Sequence, residues 1–479
     1  MTAPLAGDLS ALSKLIEATL AGLAEGSTQR SGPVPALHPN ALNRTVPTQL
    51  FPENGADPAE TVRELSSWLA AGAADPAHPS CAGHLHCPPL AIAVAADVAA
   101  SALNQSLDSW DQAPSATTLE THVLAELAAL VGFEPNAAGV ITSGGTESNL
   151  TGLLLARDSA IATHLGAKAS SSGVALAHGR LRIICSEAAH FSVQRAAALL
   201  GLGENAVLTV PVDADHRMDL ARVAELLAEL NTQQLIPAAI VATAGTTDFG
   251  AIDPLAELAD LAERYGSWLH VDAAYGGGAL FSPLLAPTLA GIERAHSVSL
   301  DLHKVGWQPI AAGIFLARDA ELLSALERTV AYLNPIDDEE AGYPSLLGRS
   351  IRTTRRADVF KIAVTLRALG RTGLASLVES CHGLVQYAAT HISAHEQLEL
   401  AAPASLASVV FRYRGNDELN GALRRHLLET GAAVIGRTAF NNQVWLKLTL
   451  LNPYATTDDI DGLIKAICTA GLELSRARA

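Results

Sequence analysis

The stretch AAIVATAGTTDFGAIDPLAELADLAERYGSWLHVDAAYGG, residues 238–277, carries the decision about fold class. It begins with one short apolar run, AAIVATAG at 238–245, and reaches a second, WLHVDAA at 268–274, through a helical segment. Strands joined this way lie parallel, because a parallel pair needs a long crossover and cannot be closed by a tight turn. Runs of the same kind flank it: LRIIC at 181–185, VLTVPV at 207–212, VSLDL at 298–302 and GIFLA at 313–317. Strands alternating with helices from 91 to 317 predict an α/β fold, a mostly parallel sheet covered by helices on both faces.

Outside this region the pattern changes. Leu9 to Ala24 repeats apolar residues at helical spacing and a Pro-rich connector follows from Pro33 to Pro52, so 1–90 reads as a helical segment and connector. A large domain is expected over 91–331. The sequence YLNPIDDEEAGYP at 332–344 combines two prolines, a glycine and four consecutive acids, which predicts a mobile loop without regular structure. Beyond it, a helical stretch (Asp358 to Leu369), the strand-like ASVVFRY and QVWLKLTL, and a closing helix from Thr457 to Ala470 predict a smaller α+β domain over 345–479. The Ala/Ser-rich insert 167–177 reads as a surface excursion.

Composition narrows the function. A chain of 479 residues has room for two or three domains, more than a binding module needs. Leu90 to Leu103 is apolar but short and broken by Asp97, so it reads as a buried helix and not as a membrane span. A formal net charge of −17 disfavours nucleic acid and anionic membranes as partners. Five cysteines, an odd number, form no disulfide framework, and the N-terminus MTAPLAGDLSALSKL lacks a basic and apolar leader; a cytoplasmic protein is expected.

In open α/β sheets ligands bind beyond the carboxyl ends of the strands, which makes the residues ending each run informative. GVIT is followed by Ser143-Gly144-Gly145-Thr146-Glu147-Ser148-Asn149 and a helical segment, a turn where glycines and free N–H groups can hold an anion or simply turn the chain. LRIIC leads to His190, AIVATAG to Thr246 and Thr247, WLHV to Asp272 and then Ala274, and VSLDL, containing Asp301, to His303 and Lys304. A carboxylate at the end of so apolar a strand calls for a cationic partner such as a protonated pyridine, and a lysine there must pair, lose its proton or form a covalent bond. Each residue alone has an ordinary structural reading. Their order along one sheet is what points to a cofactor.

Five segments, TSGGTESNL, AHFSVQRAA, TAGTTDFGAID, WLHVDAAYGG and DLHKVGWQP, make the chain from about His84 to Arg367 resemble the pyridoxal-5′-phosphate (PLP)-dependent group II amino-acid decarboxylases. That family includes the aromatic amino-acid, glutamate, histidine and diaminobutyrate decarboxylases. The resemblance implies the type I, aspartate aminotransferase-like fold, usually as a homodimer, with PLP as cofactor. It further implies Lys304 as the Schiff-base lysine, Asp272 as partner of the pyridine nitrogen and His190 as the imidazole stacked on the ring. Gly144, Gly145 and Thr146 then form the phosphate turn, with Thr247, Ala274, Asp301 and His303 lining the cofactor. Tyr343 in the 332–344 loop is the candidate proton donor, Tyr332 its competitor.

Cys81, His84, His86 and Cys87 could in principle ligate zinc, but four ligands within seven residues would strain a tetrahedral site. The resemblance instead puts HLHCPP, with His86 and Cys87, at the substrate entrance, so no metal is expected. The segment SALNQSLDSWDQ at 101–112, with QPIAAGIF and LNPIDDEEAG, looks most like the diaminobutyrate and lysine/ornithine decarboxylases. A diamino acid read by Asp108, with Asp111 as the alternative, is therefore the expected substrate. An aromatic amino acid, or oxidative deamination on the same fold, is the competing expectation, and Asp108 as a helix-end or surface carboxylate is the plain structural one.

Overall fold

A computed structural model describes residues 4–478. Its described residues form two compact units, one built from 4–88 and 380–478, the other from 89–379.

The larger unit holds a seven-stranded sheet. Its strands are β1 (Ala138–Thr142), β2 (Leu181–Ser186), β3 (Val207–Val210), β4 (Ile236–Thr243), β5 (Trp268–Ala273), β6 (Ser297–Asp301) and β7 (Gly313–Ala317). They lie in the order β1-β7-β6-β5-β4-β2-β3. All neighbours are parallel except β7, which runs antiparallel to both β1 and β6. Strands β1, β5, β6 and β7 are buried along their whole length, as expected of a sheet covered on both faces. The alternating strands and helices of 138–317 thus form the α/β sheet that the sequence predicts, and the carboxyl ends of β1, β2, β4, β5 and β6 carry the residues singled out above.

In the smaller unit a five-stranded sheet combines Cys81–Ala82 with Leu398–Leu400, Ser408–Tyr413, Val434–Phe440 and Gln443–Thr449. Two segments far apart in sequence meet there: Cys81 pairs with Val434. Its first helix, Leu9–Arg30, packs closely on Pro58–Gly72, where a Cβ at Gly26 would fall 2.0 Å from the Ser67 carbonyl oxygen. The helix Pro58–Gly72, which the sequence reading did not anticipate, carries a plain start signal: Pro58 in its first turn and Asp57 accepting from the N–H groups of Ala59 and Glu60.

Three expectations need correction. The 332–344 segment is not wholly irregular, because Ile336–Glu340 forms a short helix. Asp337, Asp338 and Glu339 in its first turn favour it electrostatically, and the Asn334 side chain ties Val330 N–H to Glu339. The helix Ala91–Leu103 is not buried all round: Ala93, Ala96 and Ala100 face inward, while Val94 is 45% and Leu103 71% exposed. The expected boundary at 345 also moves. Residues 345–379 fold with the larger unit and residues 4–88 with the smaller one. The helix Val359–Ala394 runs through that new boundary, with a break in helical geometry at Gly370.

Candidate active site

Beyond β1, the helix Gly145–Leu165 begins directly after the glycines, so the N–H groups of its first turn have no partners within the helix. A Cβ at Gly145 would lie 2.9 Å from that of Ala274, and one at Gly144 3.2 Å from Cε1 of His303. Only glycine lets this turn approach the ends of β5 and β6 so closely. Glu147 braces the turn from within: it accepts from Ser143 N at 2.7 Å and from Arg352 Nε at 2.7 Å. Thr146 is exposed at the mouth of the turn.

Past β6, Lys304 Nζ lies 3.0 Å from Asp301 Oδ2, and His303 Nε2 lies 3.5 Å from the same oxygen. The His303 Nδ1 accepts from Ala312 N, which leaves its proton on Nε2 toward Asp301. Burial pushes the His303 pKa down, with Asp301 opposing. The second oxygen of Asp301, Oδ1, is buried without a hydrogen-bond partner. An orphaned acceptor beside Lys304 and the anion turn is a feature that a bound group can relieve.

Asp272 ends β5 and is 6% exposed. Among the described residues no cation forms an ion pair with it; Asn149 Nδ2 donates to Oδ2 at 2.7 Å and Ala274 N to Oδ1 at 3.1 Å. Among the described residues the carboxylate is thus hydrogen-bonded by neutral donors. His190, half-buried beyond β2, contacts Ser192 Oγ through Nδ1 at 2.9 Å; burial lowers its pKa, with Asp272 opposing and Lys304 reinforcing the shift. Thr247 lies exposed beyond β4, while Thr246 is buried and accepts from Ala251 N.

The structure therefore gathers the glycine turn, Asp272, Ala274, Asp301, His303 and Lys304 at one edge of the sheet. These residues fit PLP: free N–H groups for a phosphate, an uncancelled buried carboxylate for a protonated ring nitrogen, and a lysine for the aldehyde.

Asp108 is buried, 6% exposed, and is held by Gln112 Nε2 at 2.9 Å and Thr354 Oγ1 at 3.5 Å, so it is neither a surface carboxylate nor a helix cap. Thr354 is two residues from Arg352, which grips the phosphate turn, a span of at most about 7 Å. Asp111 is exposed and accepts from Ser109. Tyr343, half exposed, packs on Trp110 with ring centroids 6.3 Å apart, whereas Tyr332 is 82% exposed. His86 and Cys87 belong to the smaller unit, Cys87 buried. Burial pushes the Cys81 thiol up to about 11, and no group of three or more metal-ligating side chains is assembled among the described residues.

Sequence reasoning missed the polar residues behind these strand ends: Asn149, Ser192, His270, Ser297 and Ser299, all 1% exposed or less. The signal was period two. His270 and Asp272 share one face of β5, Ser297, Ser299 and Asp301 one face of β6, and the register pairs His270 with Ser297 and Asp272 with Ser299. Polar residues alternating inside buried strands must bond one another.

Comparison with known proteins identifies the family. The family model "Pyridoxal-dependent decarboxylase conserved domain" matches residues 39–414. The chain is 44% identical over 435 residues to an L-2,4-diaminobutyrate decarboxylase of Rhizobium meliloti (strain 1021), covering 90% of this chain and 85% of the relative. It is 39% identical over 404 residues to one of Acinetobacter baumannii, covering 81% and 79%. Among solved structures, the glutamate decarboxylase domain of diaminobutyrate-pyruvate transaminase and L-2,4-diaminobutyrate decarboxylase from Vibrio parahaemolyticus superposes with a TM-score of 0.89 at 36% identity, covering 99% of this chain and 97% of that one. The strand-end site and these matches together show that the chain belongs to the pyridoxal-dependent decarboxylase family, as an amino-acid decarboxylase with the type I fold and PLP as its cofactor.

Proposed function

We propose that the substrate is a diamino acid, foremost L-2,4-diaminobutyrate, which loses its α-carboxylate as carbon dioxide and takes up a proton to leave 1,3-diaminopropane. The observation that carries this reading is Asp108: a buried carboxylate that, among the described residues, is held by an amide and a hydroxyl and by no cation, which suits a distal ammonium. The two relatives at 44% and 39% identity bear the name of that decarboxylase.

In this reading the first turn of Gly145–Leu165, at Gly144, Gly145 and Thr146, holds the cofactor phosphate with its N–H groups. Lys304 would hold the cofactor through its aldehyde, with Asp301 and His303 orienting that lysine and Thr247 and Ala274 contributing to the cofactor site. Asp272 would hold the ring nitrogen in its protonated form, and His190 would serve as the imidazole beside the ring. PLP, when bound, supplies the electron sink that lets the bond between Cα and the carboxylate break. Tyr343 delivers the proton to Cα when the 332–344 segment covers the substrate and excludes water. Asp111 assists Asp108.

A homodimer accounts for the apolar side chains that the helix Ala91–Leu103 leaves exposed. A cytoplasmic location suits five cysteines that form no disulfide, and no described helix is long and apolar enough to cross a membrane. The test is product analysis after incubating the PLP-loaded enzyme separately with diaminobutyrate, ornithine, lysine, tyrosine, tryptophan and glutamate. A diamine formed fastest from diaminobutyrate supports the reading; faster turnover of tyrosine or tryptophan, or release of an aldehyde and ammonia, overturns it.

A further inference from the structure

Asn149 lies in the second turn of the helix that follows the phosphate turn and is 1% exposed. Its amide is fully used. Nδ2 donates to Asp272 Oδ2 at 2.7 Å and to Ser192 Oγ at 2.9 Å, while Oδ1 accepts from Ser299 Oγ at 2.8 Å and lies 3.0 Å from His270 Nε2. Turning the amide over would set its oxygen against the Asp272 carboxylate, so only one orientation works.

That orientation fixes the protons around it. His270 must donate through Nε2, and its Nδ1 then accepts from Ser297 Oγ at 2.8 Å, a hydroxyl that itself accepts from Trp268 Nε1 at 2.8 Å. Both ring nitrogens are satisfied with His270 neutral, in keeping with burial, which pushes its pKa down to about 4. On the other side, His190 Nδ1 accepts from Ser192 N at 3.3 Å, so Ser192 Oγ, which accepts from Asn149, donates its own proton to Nδ1 at 2.9 Å and the His190 proton sits on Nε2. The helix can reach this network because residue 152 is glycine: a Cβ there would lie 2.6 Å from His270 Nδ1.

We propose that Asn149 is a positioning residue that sets Asp272 and His190 as one unit, with one amide N–H holding the carboxylate and the other, through Ser192, fixing the imidazole. An amide suits this place better than a lysine or arginine. It anchors Asp272 without cancelling the charge that the ring nitrogen needs. The inference rests on the cofactor roles proposed above for Asp272 and His190.

The test is a double-mutant cycle read by the dissociation constant of PLP from apoprotein, by the absorption spectrum of the bound cofactor and by the melting temperature of the apoprotein. Asn149→Ala should weaken PLP roughly ten- to a hundredfold, the weight of one hydrogen bond to a charged group, and alter the spectrum. In an Asp272→Ala background the same change should move the affinity by no more than about twofold, because the group it positions is gone. If Asn149→Ala apoprotein does not fold, Ser299→Ala takes its place. It removes one donor to the Asn149 oxygen, and PLP should bind about two- to tenfold more weakly with the melting temperature kept. Wild-type PLP affinity in the folded Asn149 or Ser299 variant, or additive losses in the double mutant, would overturn the inference while Asp272 keeps its role. An Asp272→Ala protein that binds PLP as well as wild type would overturn the reading of Asp272, and this inference with it.

Discussion

Replacing Asp108 by Asn is the sharpest probe of substrate choice, because it changes charge and almost nothing else. The side chain keeps its size, and its oxygen can still accept from Gln112, now 2.9 Å from Oδ1. The other oxygen, 3.5 Å from Thr354 Oγ1, makes only a weak contact, so it has capacity for a strong donor. An ammonium desolvated against this 6%-exposed group gains a charge-assisted bond; against an amide it meets N–H groups instead. Leaving one member of such a pair buried and unpartnered costs about 2–5 kcal/mol, or roughly 30- to several-thousand-fold in kcat/KM. The assay is kcat/KM for diaminobutyrate, ornithine, lysine and tyrosine with wild type and Asp108→Asn, alongside the PLP dissociation constant. The diamino acids should lose that factor while PLP binding stays near wild type. A fall shared equally by tyrosine, or an unchanged preference, would refute the reasoning about Asp108.

Tyr343→Phe should lower amine formation by roughly 100-fold or more if it is the proton donor, with Tyr332→Phe far milder; full amine output without aldehyde would clear Tyr343 of the role. His270, with its pKa pushed down from 6.5 to about 4, stays neutral in the fold while the unfolded chain takes up a proton below 6.5. Its contribution is therefore complete above pH 6.5 and is lost as pH falls toward 4, up to roughly 3 kcal/mol. Urea unfolding of apoprotein at pH 7 and pH 5 should show this loss, and a His270→Gln variant with the same pH dependence as wild type would contradict it. Arg355→Met would strand Glu120, its buried partner at 2.6 Å, and should destabilise the protein by roughly 3–5 kcal/mol. A melting temperature within a degree or two of wild type would speak against that pairing.

The sequence made the sheet readable because its strands are buried and bounded by turn residues, and the strand-end rule then pointed to Lys304, Asp272 and the phosphate turn. What stayed hidden needed three dimensions. Asn149 gains its meaning only where Gly152 lets the helix approach His270, and the partners of Ser297 and Ser299, residues that alternation along β6 could flag, are set by the register of β6 against β5. The domain boundary was misplaced because the smaller sheet joins Cys81 to Val434, a pairing that no local pattern announces. The helix Ala91–Leu103 looked buried because apolar composition does not say which face the chain itself covers. In 332–344 the prolines and glycine suggested a plain loop, and the acids that favour a short helix were outweighed.

The central claim is that PLP is carried by Lys304 at the end of β6. Reducing the holoenzyme with borohydride and mapping the labelled peptide by mass spectrometry tests it directly. The cofactor should be found on Lys304 within DLHKVGWQP, and Lys304→Ala should take no covalent label and make no amine. Label on any other lysine, or turnover by Lys304→Ala at the wild-type rate, would contradict the account.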